Sequence, residues 1–208
     1  MDKLIVMKLP QFLIIMTSLI PNFLSATEGE AYARTAPGLI EIKELPAARL
    51  MISKSEQPYF SANNKLFGKL FSYIREKEIP MTAPVEAKIN PGVMIFYMDA
   101  TSAVRTDLKP GAEVELQNLE ARTVAAIGIR GSYSKENYEE GLERLKDWLK
   151  TQSQLEVIGE PYGVYWNSPF VPFFLKQSEV HIPVKVKNNL TLIKSKHADA
   201  RKVLGRFL

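Results

Sequence analysis

Two histidines, His181 and His197, and no cysteine bound the chemistry open to this 208-residue chain. Without a thiol there is no disulfide, no thiolate-held metal or cluster and no cysteine nucleophile. Two histidines sixteen positions apart argue against a multi-histidine metal site and against a triad with a histidine to spare. No Gly-rich phosphate loop, G-x-S-x-G or H-E-x-x-H occurs, and Gly128-x-x-Gly131 sits at a strand end. Carboxylates are plentiful, but none is paired in an apolar context. Glu160, ahead of Pro161-Tyr162-Gly163, is the most enclosed, and a turn carboxylate in water is its commoner meaning. Glu160 and Tyr133 are the side chains a hydrolase or other acid/base enzyme would need. His181 lies on the strand face opposite Val180, Ile182 and Val184, where a lone histidine is more often exposed or hydrogen-bonded than a metal ligand. The sequence therefore assigns no catalytic residue; His181 is a weak metal candidate, and His197, in the polar tail, a weaker one.

The apolar inventory says more. Trp166, Phe170, Phe173 and Phe174 fall within nine residues, broken by Pro169 and Pro172. Two prolines bar a central strand there. The segment must be a loop, yet it is too apolar to lie bare in water. It is expected to cap the core or form the lip of an apolar cleft. Met51, Met81, Met94 and Met98 add adaptable, polarizable side chains that suit a flat apolar ligand.

Those residues must be positioned by a modest set of elements. Hydrophobic residues at 46% and charged residues at 24% are the mix of an ordinary globular domain. Leu39 to Ser53 is β-like with a break at Leu45-Pro46. Ser61 to Lys77 carries apolar residues at helical spacing, with Ser61 as a plausible N-cap. Ile79 to Ile89 alternates as a strand, Asn90-Pro91-Gly92 is a turn, and Val93 to Met98 reads as a strand buried on both faces. Strand-like Glu113 to Leu119 and Arg122 to Arg130 follow, then a helix over Ser134 to Thr151. Val157 to Asn167 is a strand pair or bent strand, and Glu179 to Lys187 alternates. The two halves, about 37–100 and 112–187, align at an offset of 74, with Tyr59 on Tyr133 and Asn63 on Asn137. The expectation is an α+β fold in which two β–α–β–β units cover each other's apolar faces.

The ends are distinct. Residues 1–26 read as a signal peptide, with basic residues, an apolar run from Leu9 to Leu24 and Ser25-Ala26. Cleavage would follow Ala26 or Ala33 and leave an exported, periplasmic or secreted domain over 27–187. An uncleaved membrane anchor is the alternative. The net charge of +4 resides in the tail 188–208, so no nucleic-acid-binding face is indicated. That tail could meet a membrane or a partner protein, or simply fray. Oligomeric state is left open.

Ile79-Pro80-Met81-Thr82-Ala83-Pro84-Val85 resembles the signature strand of the SOUL haem-binding proteins. Trp166 to Lys176 resembles that family's Pro-x-x-Pro segment, and Ser178 to Val184 its last strand. The resemblance spans roughly residues 37–187. It implies a distorted eight-stranded antiparallel barrel of two β-α-β-β repeats with two helices packed outside. It also implies binding of haem or a related tetrapyrrole, a small apolar planar ligand, in a cleft beside the first helix. Phe67, Phe71, Met81, Phe96, Trp166, Phe170 and Phe173 would line that cleft, with Lys65, Lys69 and Lys176 meeting propionates at its rim. Arg75 could join them. No histidine stands in or before the first helix, so iron would be met by Met81, a tyrosine such as Tyr59 or Tyr73, or nothing. The expected function is non-catalytic binding, with a hydrolase or haem-modifying enzyme and a partner-binding scaffold as alternatives.

Overall fold

The computed structural model describes residues 29–168 and 170–187. Residues 1–26, expected to be a signal peptide, and the basic tail 188–208 lie outside the described residues. The strands are β1 (Ile40–Leu45), β2 (Ala48–Lys54), β3 (Val85–Lys88), β4 (Val93–Tyr97), β5 (Glu115–Leu119), β6 (Arg122–Arg130), β7 (Leu155–Val157), β8 (Tyr162–Tyr165) and β9 (Gln177–Val186). The helices are α1 (Tyr59–Glu76), α2 (Ala100–Ala103) and α3 (Lys135–Thr151), with a 3-10 turn at Phe173–Leu175. Among the described residues no helix is long and apolar enough to cross a membrane.

Eight strands pair antiparallel in the order β1-β6-β9-β8-β3-β4-β2-β5, and β7 adds to the end of β9. The path ends on β1 and β5, which do not pair with each other, so the sheet is a curled half-barrel in an α+β fold. Exchanging β1 with β5, β2 with β6, β3 with β8 and β4 with β9 reverses this order and leaves it unchanged. That symmetry belongs to the connectivity alone and does not establish a duplicated unit.

Strand alternation sorts the side chains into an outer and an inner face. On the outer face, Met51, Met94 and Phe96 pack under Leu66, Leu70 and Ile74 of α1. Likewise Ala125, Ile127, Val180, Ile182 and Val184 pack under Tyr138 and Leu145 of α3. Each of these large side chains contributes roughly 1.5–3 kcal/mol by leaving water. The inner face carries Leu50, Ile52, Ile95, Tyr97, Val124, Tyr162 and Val164, closed by Tyr32 and Trp166.

Several boundaries differ from the sequence reading. α1 begins at Tyr59, with Pro58 at the N-cap and no side-chain cap; Ser61 lies in the first turn. Tyr59 N instead donates to Ile89 O (2.9 Å). α3 does use Ser134, which accepts from Asn137 N (3.2 Å). The strand expected over Ile79 to Ile89 is confined to β3, because Pro80 and Pro84 have no N–H to give a ladder. The turn α2, held by the Asp99 carboxylate, has no periodicity from which to read it. Val186 is exposed rather than on the buried face.

Residues 35–38 lie against β6, with Gly38 N donating to Gly128 O (2.8 Å) and Gly128 N to Leu39 O (3.0 Å). A Cβ on Gly128 would meet Ala36 O at 2.2 Å and Thr35 O at 2.6 Å. Backbone cannot yield there as a side-chain tip would. Gly128→Ala is expected to cost about 2–3 kcal/mol, seen as a drop of roughly 4–10 °C in the thermal unfolding midpoint. An unchanged midpoint would show that the segment does not press on β6.

Candidate functional site

Among the apolar residues of the inner face lies a buried polar cluster. Glu179 and His181, successive inward residues of β9, are almost completely buried. A buried carboxylate is tolerable only when its oxygens are paired. Glu179 accepts from Thr35 N (2.8 Å), from Trp166 Nε1 (2.7 Å) and from Lys43 Nζ (3.1 Å), and His181 Nε2 donates to it at 2.7 Å. Burial pushes its pKa up. The hydrogen bond to His181, the charges of His181 and Lys43 and the Thr35 N–H outweigh that and bring it down to about 2.

The network continues through His181 Nδ1, 3.2 Å from the Tyr162 hydroxyl. Arg122 Nη2 reaches that hydroxyl (3.2 Å), Tyr97 Oη (2.8 Å) and Glu86 Oε1 (2.8 Å). Tyr32 and Tyr97 each donate to Glu86 Oε1 at 2.7 Å. Burial, then the Glu86 charge, holds the hydroxyls of Tyr32, Tyr97 and Tyr162 far above the ordinary phenol range, so they remain donors. His181 does lie on the strand face opposite Val180 and Ile182, but that face is the inside of the curl. His181 is hydrogen-bonded at both ring nitrogens rather than exposed, and neither is left for iron.

A cleft of about 820 Å³ opens outside this filled interior. Four pieces build it. α1 supplies Phe67 and Phe71, one turn apart with rings stacked at 5.5 Å. The proline-bounded segment before β3 supplies Met81, Thr82 and Ala83. The end of β8 and its loop supply Tyr165, Trp166 and Phe170. The N-terminal segment supplies Gly29, Glu30 and Arg34. It is laid there by Ala31 N donating to Ala83 O (2.7 Å) and Ala83 N to Gly29 O (2.9 Å). The Arg34 guanidinium lies 5.1 Å from the Trp166 ring and binds the Glu30 carboxylate through Nε (2.7 Å) and Nη2. Trp166 is thus both a cleft wall and, through its indole N–H, a donor to the interior network.

Of the expected ligand residues, Phe67, Phe71, Met81, Trp166 and Phe170 line this one cleft. Phe96 does not: it is buried behind Phe67, edge-on at 5.6 Å. Phe173 stands off the cleft, edge-on to Phe174. The expected rim lysines lie elsewhere. Lys65 is on the exposed side of α1, Lys69 pairs with Glu113 (2.8 Å), and Lys176 lies over the Tyr133 ring at 5.1 Å. Arg34 is the one cation among the described residues lining the cleft. Sequence reading missed it because it precedes the first strand and only folding brings it to Trp166. Tyr165 was missed too; its hydroxyl is buried without a hydrogen-bond partner among the described residues. Tyr59 stacks on Tyr165 at 5.5 Å, and Tyr73 donates to Lys109 O (2.7 Å), so neither tyrosine lines the cleft. Glu160 is exposed on its turn. The Tyr133 hydroxyl donates to Gln177 O (2.9 Å) and accepts from Asn167 N (2.7 Å), holding the loop.

The sequence pattern described as "SOUL heme-binding protein" matches residues 28–183. The chain belongs to the SOUL haem-binding protein family. Membership supports binding of haem or a related tetrapyrrole at a coarse level. No curated protein matches the chain. Among solved structures, the crystal structure of the EcmrR C-terminal domain superposes with a TM-score of 0.58 at 17% identity, over 72% of this chain and 98% of that one. The EcmrR–DNA complex gives the same TM-score and identity over 72% of this chain, which spans 58% of the EcmrR chain there. An uncharacterized conserved protein from Listeria innocua follows at 0.50 and 14% identity, over 72% and 94% of the two chains. At these identities the likeness is one of fold, and DNA binding belongs to EcmrR.

The depressed pKa of Glu179 has a stability consequence. Folded, the carboxyl gives up its proton at about 2 rather than at the ordinary 4.5. Its contribution is therefore complete above pH 4.5 and is lost as the pH falls from there toward 2, by on the order of 3 kcal/mol. Glu179→Gln should flatten that part of the stability–pH curve. It should also destabilise the domain at pH 7 by about 3 kcal/mol or more, by leaving Lys43 and His181 without their anion. Urea unfolding of both proteins between pH 7 and pH 2.5, followed by tryptophan emission, checks this; parallel curves would refute it.

Proposed function

We propose that this chain is an exported binding module that holds haem or a related planar tetrapyrrole in the cleft between α1 and the Trp166 loop, without chemistry of its own. The observation that carries the reading is the cleft itself. Its volume of about 820 Å³ lies within the roughly 300–1,000 Å³ of small-molecule sites. Phe67, Phe71, Met81, Trp166 and Phe170 present rings and a thioether to it, which suits a flat apolar face. Arg34 stands at its edge, where a ligand carboxylate would share its guanidinium with Glu30.

The donor set fits the group through apolar contact more than through the metal. Haem supplies a flat apolar ring, two carboxylates and an iron. Of the cleft residues, Met81 offers a thioether and Tyr165 a phenol that burial keeps protonated. The chain thus recognises the ring and its acid groups, and the iron adds little. Glu160 and Tyr133, the side chains an enzyme reading would use, are placed on an exposed turn and in a loop-holding hydrogen bond, which favours binding over turnover.

Export is the second part of the proposal and rests on the pattern of residues 1–26. Cleavage after Ala26 leaves the whole N-terminal segment in place. Cleavage after Ala33 would remove Tyr32, a donor to Glu86 in the interior, and the Ala31–Ala83 pairing. The mature N-terminus is therefore expected at Thr27, which mass spectrometry of the exported protein reads directly; an intact Met1 on cytosolic protein would refute export.

Titration of the purified protein with hemin and with metal-free protoporphyrin should give saturable Soret changes. The two dissociation constants should fall within about threefold of each other. Phe71→Ser with Met81→Ser should weaken both ligands by about tenfold or more. Arg34→Ala should weaken the free acids but not their dimethyl esters. No saturable change with either porphyrin at micromolar protein would overturn the reading.

A further inference from the structure

The loop after Trp166 is apolar at its tip and left in water. Phe170 is 94% exposed, Phe173 67% and Phe174 57%, with Leu175 also exposed. Four large apolar side chains in six residues is far more than scattered surface hydrophobicity, and such patches mark contact sites. From Asn167 to Ser178 the chain carries one lysine and no carboxylate. Its base is basic: Lys176 closes it, and exposed Arg130 sits opposite Gln177 at the start of β9. An apolar aromatic tip above a basic base is the pattern of an interfacial element that sinks rings among acyl chains and leaves cations at the headgroups.

The same rim receives the N-terminal part of the chain. Gly29 and Glu30 line the cleft together with Phe170, Phe71 and Met81, the last two also substantially exposed. The basic tail 188–208, by contrast, leaves from the far end of β9, ten residues and about 30 Å from the loop.

We propose that this rim docks on a lipid bilayer, with Phe170, Phe173, Phe174 and Leu175 entering the interface, so that the cleft opens onto the membrane and not onto bulk water. The docking stands on the exposed loop and the cations at its base. Only its purpose, exchange of an apolar ligand with the bilayer, rests on the binding reading above.

The test uses the mature protein beginning at Thr27, without porphyrin, so that its failure and a failure of porphyrin binding are separate results. Because the sequence has no cysteine, Phe174→Cys and Val186→Cys each carry one environment-sensitive fluorophore, at the loop and at the far end of β9. Vesicles of phosphatidylcholine and phosphatidylglycerol in equal amounts should shift the emission at 174 to the blue and leave 186 unchanged. Adding Phe173→Ser and Leu175→Ser to the Phe174→Cys protein should lower vesicle partitioning by about tenfold or more and leave the thermal midpoint within about 2 °C, since these side chains already lie in water. A shift at 186 but not at 174 would assign the contact to the basic tail. Co-sedimentation with vesicles and no shift at either position would assign it to another part of the surface. A shift at 174 that grows with protein concentration without vesicles would mean that a second copy covers the loop. Each of these results, or no vesicle binding at all, overturns the proposal.

Discussion

The buried carboxylate of Glu179 is the constraint around which the molecule is arranged. Unpaired, it would cost several kcal/mol, comparable with the net stability of an ordinary domain. Its donors come from Thr35 ahead of β1, Lys43 on β1, Trp166 after β8 and His181 on β9. Satisfying one side chain therefore fixes the N-terminal segment, the curl of the sheet and the wall of the cleft together. Glu86 repeats the device from β3, gathering Tyr32, Tyr97 and Arg122. Charge pairs and phenols share the interior with Leu50, Ile52, Ile95, Val124 and Val164, where an eight-stranded closed barrel would use apolar side chains alone.

Much of the fold was legible because it is written in periodicity. The helical spacing in α1 and α3, the turn at Asn90-Pro91-Gly92 and the doubly buried β4 follow from residue pattern alone, and the Pro-broken aromatic run announces a loop. The inner network was not legible. Alternation marks His181 and Glu179 as facing away from the helices, and a polar face opposite an apolar one ordinarily means water. Only the curl of the sheet turns that face inward, and curl is a property of eight strands together, not of any one. The residues that reveal it, Lys43, Thr35, Arg122 and Glu86, are scattered over 88 positions of sequence.

The cleft was half legible for the same reason. Its aromatic and methionine residues lie in local runs that composition exposes. Arg34 comes from a segment with no regular structure and reaches Trp166 through two backbone hydrogen bonds to Ala83. The lysines of α1 were plausible cations by proximity in sequence, but the helix turns Lys65 and Lys69 away from the face that Phe67 and Phe71 present. Phe96 has the right chemistry and lies one layer too deep. A strand residue under a helix is core, and which strand residues lie under the helix follows from strand order.

The cleft proposed to hold the ligand lies outside the filled curl, which separates two jobs that many β-barrels combine. In a barrel that carries its ligand within, every change of ligand is also a change to the core. Here Phe71, Met81 and Phe170 project from the rim and can be exchanged with little penalty to folding, while Glu179, Glu86 and their partners hold the frame. Such a scaffold can drift across a lineage from one apolar guest to another without passing through unstable intermediates, and relatives that keep the interior should differ most at the lip.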